Sequence, residues 1–126
     1  MANILVVDDN AVDCLLFRTY AEKIPGYNVI EAIDGEDALQ QIEKWGIKLI
    51  VTDLLMPNMD GMELLRTVRN RYPDIPVIIA TGKGNEEMAN QAMELGAVGY
   101  VPKSNLDKAL VPAIQDALSN LESSVE

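Results

Sequence analysis

The hydrophobic positions of this chain fall into five short runs that are rich in Val and Ile. The runs lie at 4–7, 27–33, 48–53, 75–82 and 98–103. Because their apolar residues follow one another instead of alternating with polar ones, each run is typical of a strand buried on both faces. Strands of that kind occur in parallel sheets, so the pattern predicts five parallel strands.

Helical spacing of apolar residues separates these runs. The positions are Val12, Leu15, Leu16 and Thr19, then Ala38, Leu39, Ile42 and Trp45, then Leu64, Leu65 and Val68, and then Met88, Ala92 and Leu95. Asp60, followed three residues later by Glu63, predicts an N-cap with a capping-box arrangement for the third helix. Gly96 is the expected residue after the fourth helix, whose thin apolar face indicates marginal packing and mobility.

A fifth helix is indicated by Leu110, Ile114, Ala117 and Leu121, with Pro112 among them. Proline lacks the N–H that an inner helical turn needs, so we expect a late start or a kink there. The alternation of strands and helices predicts an α/β fold, a doubly wound five-stranded parallel sheet with helices on both faces. We expect one domain over 1–126, with a flexible tail at 122–126.

The composition of the chain argues against several classes of function. The formal net charge of −10 would repel phosphate backbones and anionic lipids, so we expect no direct nucleic-acid binding and no membrane docking. Cys14 stands alone and the chain has no His, which argues against an internal disulfide and the usual zinc sites. With neither a secretory signal nor an apolar run of about 20 residues, we expect a soluble, cytoplasmic protein.

Residues with complementary chemistry follow four of the strands. Asp8 and Asp9 end the first, Asp53 the third and Thr81 the fourth, while Lys103 follows the fifth. Because parallel strands present their carboxyl ends at one edge, these side chains should converge there. Three carboxylates repel one another unless a cation lies among them, and an oxygen-only ligand set favours Mg²⁺.

Each of these residues also has an ordinary structural interpretation. The Asp8-Asp9 pair could cap the next helix, Asp53 could belong to a turn, and Lys103 could be a solvated charge. Thr81 could be no more than a strand-end hydroxyl. Their convergence on one edge, each from a different strand, favours a site instead.

Four motifs carry a family resemblance over essentially the whole chain. They are "VVDDN" with Asp8 and Asp9, "VTDLLMPNMDG" with Asp53, "IIATG" with Thr81, and "GYVPK" with Tyr100 and Lys103. The chain resembles the receiver domain of two-component response regulators, which has a flavodoxin-like (βα)5 fold. The resemblance implies that Asp53 accepts a phosphoryl group from a phosphohistidine. It also implies that Asp9, Asp53 and the backbone carbonyl of Leu55 hold Mg²⁺, with Asp8 reaching the ion mainly through water.

The same resemblance implies a switch. Thr81 and Lys103 would stabilise the transferring group, and the domain would catalyse its own phosphorylation and dephosphorylation instead of acting as an enzyme on a separate substrate. The Thr81 hydroxyl would then move toward the phosphoryl group and Tyr100 would turn inward, repacking the face of helix four, strand five and helix five. From the residues alone, Tyr100 could equally be an amphipathic side chain packed at a sheet edge.

The implied partners are a histidine kinase or phosphotransfer protein and a downstream protein bound through helix one, four or five. A phosphorylation-linked homodimer is a further expectation, and we expect a single-domain regulator similar to chemotaxis regulators. The family usually has Lys-Pro after strand five, whereas this chain has Pro102-Lys103, so a cis peptide there stays open. Leu55 and Lys83 occupy positions that tune phosphoryl lifetime in the family.

The chain lacks the sequence motifs that other functions of this fold class require. A flavodoxin-like cofactor binder needs a phosphate-cradling loop after strand one, where this chain has "DDNAVD". A dinucleotide enzyme needs G-x-G-x-x-G there, and an aspartyl Mg²⁺-dependent phosphatase needs D-x-D. A degenerate receiver that only binds proteins, independently of phosphorylation, is a further alternative, against which the complete set of site residues argues.

Overall fold

The computed structural model describes residues 2–56, 58–82 and 86–123, in which strands and helices alternate. The strands are β1 (Ala2–Val7), β2 (Tyr27–Ala32), β3 (Ile47–Thr52), β4 (Val77–Thr81) and β5 (Gly99–Pro102). The α-helices are α1 (Ala11–Ala21), α2 (Gly35–Lys44), α3 (Gly61–Arg71), α4 (Glu86–Glu94) and α5 (Leu106–Ser123), the last preceded by a 3-10 turn at Lys103–Asn105. Positions 122 and 123 of the predicted tail are therefore helical, and 124–126 lie outside the described residues.

The five strands form one parallel sheet with the order β2-β1-β3-β4-β5. This arrangement confirms the predicted doubly wound α/β fold. The strand order reverses at β1, because the chain continues to β2 on one side and to β3 on the other. Such a reversal opens a crevice at the carboxyl ends of the two central strands.

Two hydrophobic cores cover the two faces of the sheet. Ile4 and Val6 of β1 pack with α1 and α5, whereas Leu5 and Val7 pack with the layer of α2, α3 and α4. Successive residues of a strand point to opposite faces, so a strand covered on both sides needs apolar residues at every position. This is the physical reason for the continuous apolar runs in the sequence.

Helix α1 buries a different face from the one that the spacing predicted. Cys14, Phe17 and Ala21 are buried, whereas Leu15 is 59% exposed and Val12 and Leu16 are also exposed. The prediction was wrong because α1 is apolar around much of its circumference, so periodicity alone does not select the inner face. The result is an exposed apolar surface on α1, defined by Val12, Leu15 and Leu16.

The start of α5 also differs from the expectation. The helix begins at Leu106, so Pro112 lies in its second turn and the predicted late start is wrong. Leu110 and Ile114 are fully buried on the sheet and hold this turn in place by packing, which offsets the hydrogen bond that proline cannot donate. Tertiary packing here outweighs the low helix propensity of proline.

The signals for the start of α3 and the end of α4 are confirmed. The Asp60 side chain accepts a hydrogen bond of 2.9 Å from the N–H of Glu63 and caps α3. Gly96 follows α4 with a φ of 104°, and Ala92 is the residue that α4 buries. Trp45, predicted within the apolar face of α2, lies just beyond its end and is exposed.

Cys14 is a free, buried cysteine in the core between α1 and the sheet. Burial, followed by the nearby charge of Glu31, raises the pKa of its thiol to about 11. The thiol is therefore protonated at neutral pH. Among the helices that the structure describes, none is long and apolar enough to span a membrane.

The burial pattern of α1 predicts that two neighbouring large residues differ sharply in their effect on stability. Phe17→Ala is expected to lower the free energy of unfolding by about 3–5 kcal/mol, because it leaves a cavity between α1 and the sheet. Leu15→Ala should change it by less than about 0.5 kcal/mol, because that side chain is already hydrated. Urea unfolding followed by circular dichroism measures both, and equal losses would contradict the described face.

Candidate functional site

The backbone at the strand-order reversal brings two acidic residues to the same edge. The N–H of Asp53 donates to the carbonyl of Val7 at 3.0 Å, which extends the β1–β3 pairing beyond the strands. The N–H of Asp8 donates to the carbonyl of Ala32 at 3.2 Å on the other side of β1. Sheet hydrogen bonding therefore fixes Asp8 and Asp53 as neighbours at the mouth of the crevice.

A cavity of about 390 Å³ opens at this edge. Its lining consists of Asp8, Asp9, Asn10, Asp13, Asp53, Leu55, Thr81, Gly82 and Lys103. The cavity thus gathers the five residues that the sequence placed at the strand ends, together with Leu55. It adds Asn10 and Asp13, which the sequence analysis did not single out.

The Asp8-Asp9 pair does not cap helix α1. Asn10 is the N-cap, and its side chain accepts hydrogen bonds of 3.0 Å from the N–H groups of Val12 and Asp13. The N–H of Asn10 in turn donates to Asp8 Oδ1 at 2.9 Å. With capping supplied by Asn10, the two carboxylates of the pair stay in the cavity, and the alternative of a capping role for them is wrong.

Backbone contacts hold the carboxylate of Asp53. Its Oδ1 accepts a hydrogen bond of 2.7 Å from the N–H of Leu54, and its side chain is largely buried. The N–H of Gly61, at the start of α3, donates to the carbonyl of Leu54 at 2.8 Å. A Cβ at Gly61 would lie 2.1 Å from the Asp53 carbonyl oxygen, so only glycine lets α3 approach this closely.

Lys103 is the cation of the site. Its Nζ donates to Asp13 Oδ2 at 2.8 Å and to Asp53 Oδ2 at 3.0 Å, and it forms an ion pair of 2.8 Å with Asp8 Oδ2. Burial opposes the charge on Lys103, but its hydrogen bonds to these carboxylates outweigh burial and raise the pKa of the ammonium. The Nζ also lies 5.7 Å from the centre of the Phe17 ring, a favourable cation–π distance.

Three carboxylates at this edge fit a divalent cation. Oxygen atoms of Asp8, Asp9 and Asp53 lie within 4.8 Å of one another. Asp8 Oδ2 is buried and lies 2.8 Å from the Lys103 ammonium, and burial raises the pKa of Asp8 despite this contact. A hard cation such as Mg²⁺ would offset the remaining carboxylate charge, and the oxygen ligands of this cluster suit it.

Thr81 and Tyr100 lie beside this cluster on β4 and β5. Thr81 is buried and lines the cavity. The Tyr100 ring packs against the core under α2, α3 and α4, and its buried hydroxyl has no hydrogen-bond partner within the described part of the chain. Burial, with a smaller effect from the charge of Asp53, raises the pKa of Tyr100. A buried tyrosine hydroxyl without a partner is costly, which is consistent with a side chain that changes its surroundings.

Asp13 is the site residue that the sequence analysis missed. It stands in the first turn of α1, the helix that begins directly after the strand-end carboxylates, and its side chain lines the same cavity. Its closeness in sequence to Asp8 and Asp9 was a signal for its position at this edge. Leu55 is 46% exposed and lines the cavity, whereas Pro57 and Lys83 lie outside the described residues. None of the described peptide bonds is cis, including those next to Pro102.

The fold and the acidic, lysine-bearing cavity define a class of signalling domain. The family model for the response regulator receiver domain matches residues 4–115, nearly the whole chain. The chain therefore belongs to the response regulator receiver domain family of two-component systems. Receiver domains generally use Mg²⁺ at an acidic pocket, and the carboxylates of Asp8, Asp9 and Asp53 are a cluster that could bind it.

Known proteins agree with this assignment. The transcriptional regulatory protein CpxR of Escherichia coli (strain K12) is 37% identical over 118 residues, covering 94% of this chain and 50% of that protein. A receiver domain protein from Clostridium thermocellum matches with a TM-score of 0.86 and 31% identity, covering 97% of this chain and 98% of its own. A CheY-like receiver domain protein from Methanospirillum hungatei JF-1 has a TM-score of 0.88 and 27% identity, covering 98% of both chains.

The chain thus spans about half the length of the curated relative. That relative is named a transcriptional regulator, so the expectation that this protein makes no direct contact with nucleic acid stays a prediction.

The close approach of α3 predicts that Gly61 is essential for the shape of the Asp53 loop. Gly61→Ala is expected to lower the free energy of unfolding by about 1–3 kcal/mol, because its Cβ would meet backbone atoms that cannot move aside independently. Gly46→Ala is the matched control, since no atom lies within 4 Å of its added Cβ, and should change stability by less than about 0.5 kcal/mol. Urea unfolding of both variants measures the difference; equal values would refute the described contact.

Proposed function

We propose that this protein is a phosphoryl-accepting signalling switch in which Asp53 takes a phosphoryl group from a phosphohistidine on a partner kinase or phosphotransfer protein. One observation carries the proposal: Lys103 Nζ lies 3.0 Å from Asp53 Oδ2 inside a cavity that also holds Asp8 and Asp9. An acceptor carboxylate, an ammonium and two further carboxylates suited to a cation are the parts that phosphoryl transfer needs.

In the transfer, a carboxylate oxygen of Asp53 forms a P–O bond while the P–N bond of the donor breaks. The electron pair of that bond stays on the imidazole nitrogen of the donor. In dephosphorylation, a water oxygen attacks phosphorus and the bond between phosphorus and the Asp53 oxygen breaks. Inorganic phosphate leaves, and a proton is released to solvent. The protein thus catalyses both changes of its own state, with the partner's phosphohistidine or water as the other reactant.

Charge stabilisation is the main task of the remaining residues. Lys103 contacts the acceptor oxygen and can donate to the phosphoryl group, and the hydroxyl of Thr81 borders the same cavity. When bound by Asp8, Asp9, Asp53 and the backbone carbonyl of Leu55, Mg²⁺ supplies positive charge that offsets the carboxylates and the transferring group. Leu54 N–H keeps the Asp53 carboxylate oriented toward the cavity.

Signalling follows from a shift between two conformations. Thr81 moves toward the phosphoryl group, and Tyr100 turns inward to fill the space that Thr81 vacates. The Tyr100 hydroxyl, buried without a partner among the described residues, and the single residue that α4 buries, Ala92, support this proposal. Because of both features, few contacts favour one arrangement of this face over another. A downstream protein or a second copy of the chain would recognise the rearranged face.

A phosphohistidine donor must approach the open mouth of the cavity. Leu55 is exposed and lines the cavity, and helix α1, whose first turn contributes Asp13 to the lining, carries the exposed apolar surface of Val12, Leu15 and Leu16. This supports a donor that contacts helix α1, while α4, β5 and α5 stay available to a downstream partner. We place the protein in the cytoplasm, where such kinases present their phosphohistidine.

A flavodoxin-like cofactor binder is less well supported. The loop after β1 presents Asp8 and Asp9 to the cavity, and these charges would repel a cofactor phosphate. A receiver module that binds its partner without phosphorylation remains the alternative that experiment must separate.

Intact-mass analysis after incubation with acetyl phosphate tests the acceptor directly. The protein is expected to gain one phosphoryl group in the presence of Mg²⁺ and little without it, because the carboxylates otherwise repel the dianion. Asp53→Asn should gain none. Asp116→Asn removes the same charge from an exposed position on α5 and should label like the wild type.

A wild type that stays unlabelled with acetyl phosphate and with every phosphohistidine donor tried would favour the phosphorylation-independent module. Labelling that persists in Asp53→Asn would place the acceptor elsewhere.

The lifetime of the phosphoryl group is expected to depend on Leu55. Its apolar side chain lines the cavity beside Asp53 and offers no hydrogen bond to an attacking water. Leu55→Asn introduces an amide that can orient water, so loss of the phosphoryl group should be several-fold faster. The decay of labelled protein after removal of acetyl phosphate measures this rate, with Leu15→Asn, an exposed residue of α1, as the control; an unchanged or slower decay counts against the role of Leu55.

A further inference from the structure

Asp13 forms a contact that the proposed transfer reaction does not require. Its Oδ2 accepts a hydrogen bond of 2.8 Å from Lys103 Nζ, which is as short as the ion pair between Lys103 and Asp8 and shorter than the bond to Asp53. The side chain reaches across from α1 to the residue that follows β5. A contact between elements so far apart in the chain is a feature of the folded site, and its effect on the site follows from the chemistry of the ammonium group.

A lysine ammonium has three hydrogens to donate. In this structure three carboxylates lie around it, namely Asp8, Asp13 and Asp53. A phosphoryl oxygen that is to contact Lys103 therefore competes with these carboxylates for the ammonium.

Burial identifies the partner that can leave. The side chain of Asp8 is 0% exposed and that of Asp53, the acceptor itself, is 8% exposed, whereas that of Asp13 is 29% exposed. A carboxylate that loses a buried partner pays a large desolvation cost, but one at the surface can turn toward water. Asp13 is the carboxylate that gives up Lys103 at the smallest cost.

We infer that Asp13 is a positioning residue. Its carboxylate accepts the Lys103 hydrogen bond that a phosphoryl group would accept, until a bound anion displaces it. This inference rests on the proposed function and deepens it. Asp13 holds the ammonium at the cavity while the site is empty and competes with the incoming anion for the same hydrogen. Its carboxylate thereby sets how tightly the site binds phosphoryl groups, as a built-in competitor that keeps the resting affinity low.

Only hydrogen bonds change in this exchange. Lys103 Nζ stops donating to Asp13 Oδ2 and donates to a phosphoryl oxygen, while Asp13 becomes hydrated. No covalent bond forms or breaks and no proton is transferred, so the exchange is reversible and follows the occupancy of the site. It also removes one negative charge from the immediate neighbourhood of the bound anion.

Asp13→Asn tests the competition. The amide keeps the size of the side chain but is a weaker acceptor without charge, so beryllofluoride, a tetrahedral mimic of the phosphoryl group, should bind at least about fivefold more tightly with saturating Mg²⁺. Isothermal titration calorimetry gives this affinity. The acetyl phosphate concentration for half-maximal labelling should fall by a similar factor, while the maximal rate changes less than twofold.

Two further variants separate this role from other effects. Asp13→Glu keeps the charge and can still reach Lys103, so it should return both quantities toward the wild-type values. Asp116→Asn removes the same formal charge from an exposed position on α5 and should leave them unchanged. Urea unfolding of each variant is measured alongside, because a merely structural contact would alter stability and leave the anion affinity as it is.

The structure of the wild-type complex with Mg²⁺ and beryllofluoride tests the exchange itself. The Asp13 Oδ2 to Lys103 Nζ distance should increase from 2.8 Å to beyond hydrogen-bonding range, with Nζ bonded to fluorine. A distance that stays near its resting value would overturn the inference. So would an Asp13→Asn variant whose anion affinity equals or falls below that of the wild type.

Failure of the underlying function has a different signature. If the wild type binds neither beryllofluoride nor acetyl phosphate at any Mg²⁺ concentration, the phosphoryl-accepting function is contradicted, and the inference falls with it. If the wild type binds both and Asp13→Asn binds them no better, the function stands and only the role of Asp13 is refuted.

Discussion

The interaction on which the rest of this structure depends is the contact of one ammonium with a group of carboxylates. Lys103 lies among Asp8, Asp13 and Asp53 at the carboxyl edge of the sheet. Without its charge, these side chains would repel one another at the mouth of the crevice, where Asp8 and Asp53 are buried. The ion pairs therefore join α1, β1, β3 and the end of β5 at a single point, and function and stability share the same contact.

The sheet supplies the rigidity that such a cluster needs. The central strands β1, β3 and β4 are buried on both faces, and the backbone hydrogen bond from Asp53 to Val7 carries that rigidity one residue into the site. Gly61 lets α3 approach the Asp53 loop, and Asn10 caps α1 so that Asp8 and Asp9 stay in the cavity. Helix α4, by contrast, fully buries one residue, Ala92. Under the proposed function, an acceptor fixed by the sheet beside a face with few buried contacts suits a domain that converts a change at Asp53 into a change of surface.

The charge balance of the cavity also bears on selectivity. Asp8, Asp9, Asp13 and Asp53 together exceed the single charge of Lys103, so an anion meets a repulsive field unless a divalent cation accompanies it. Under the proposed function, such a site would discriminate against phosphates that arrive alone and would favour transfer when cation and donor are both present. The net charge of −10 on the whole chain also repels anions that approach without a cation.

The sequence by itself determined the fold class, the five strands and the convergence of Asp8, Asp9, Asp53, Thr81 and Lys103, because buried parallel strands leave a continuous apolar pattern and end at one edge. Only the tertiary structure decided which face of α1 is buried, since that helix is apolar around much of its circumference and the packing of Phe17 makes the choice. Tertiary packing likewise kept Pro112 inside α5. The contact of Asp13 with Lys103 joins residues 90 positions apart, and no local pattern encodes such a pairing.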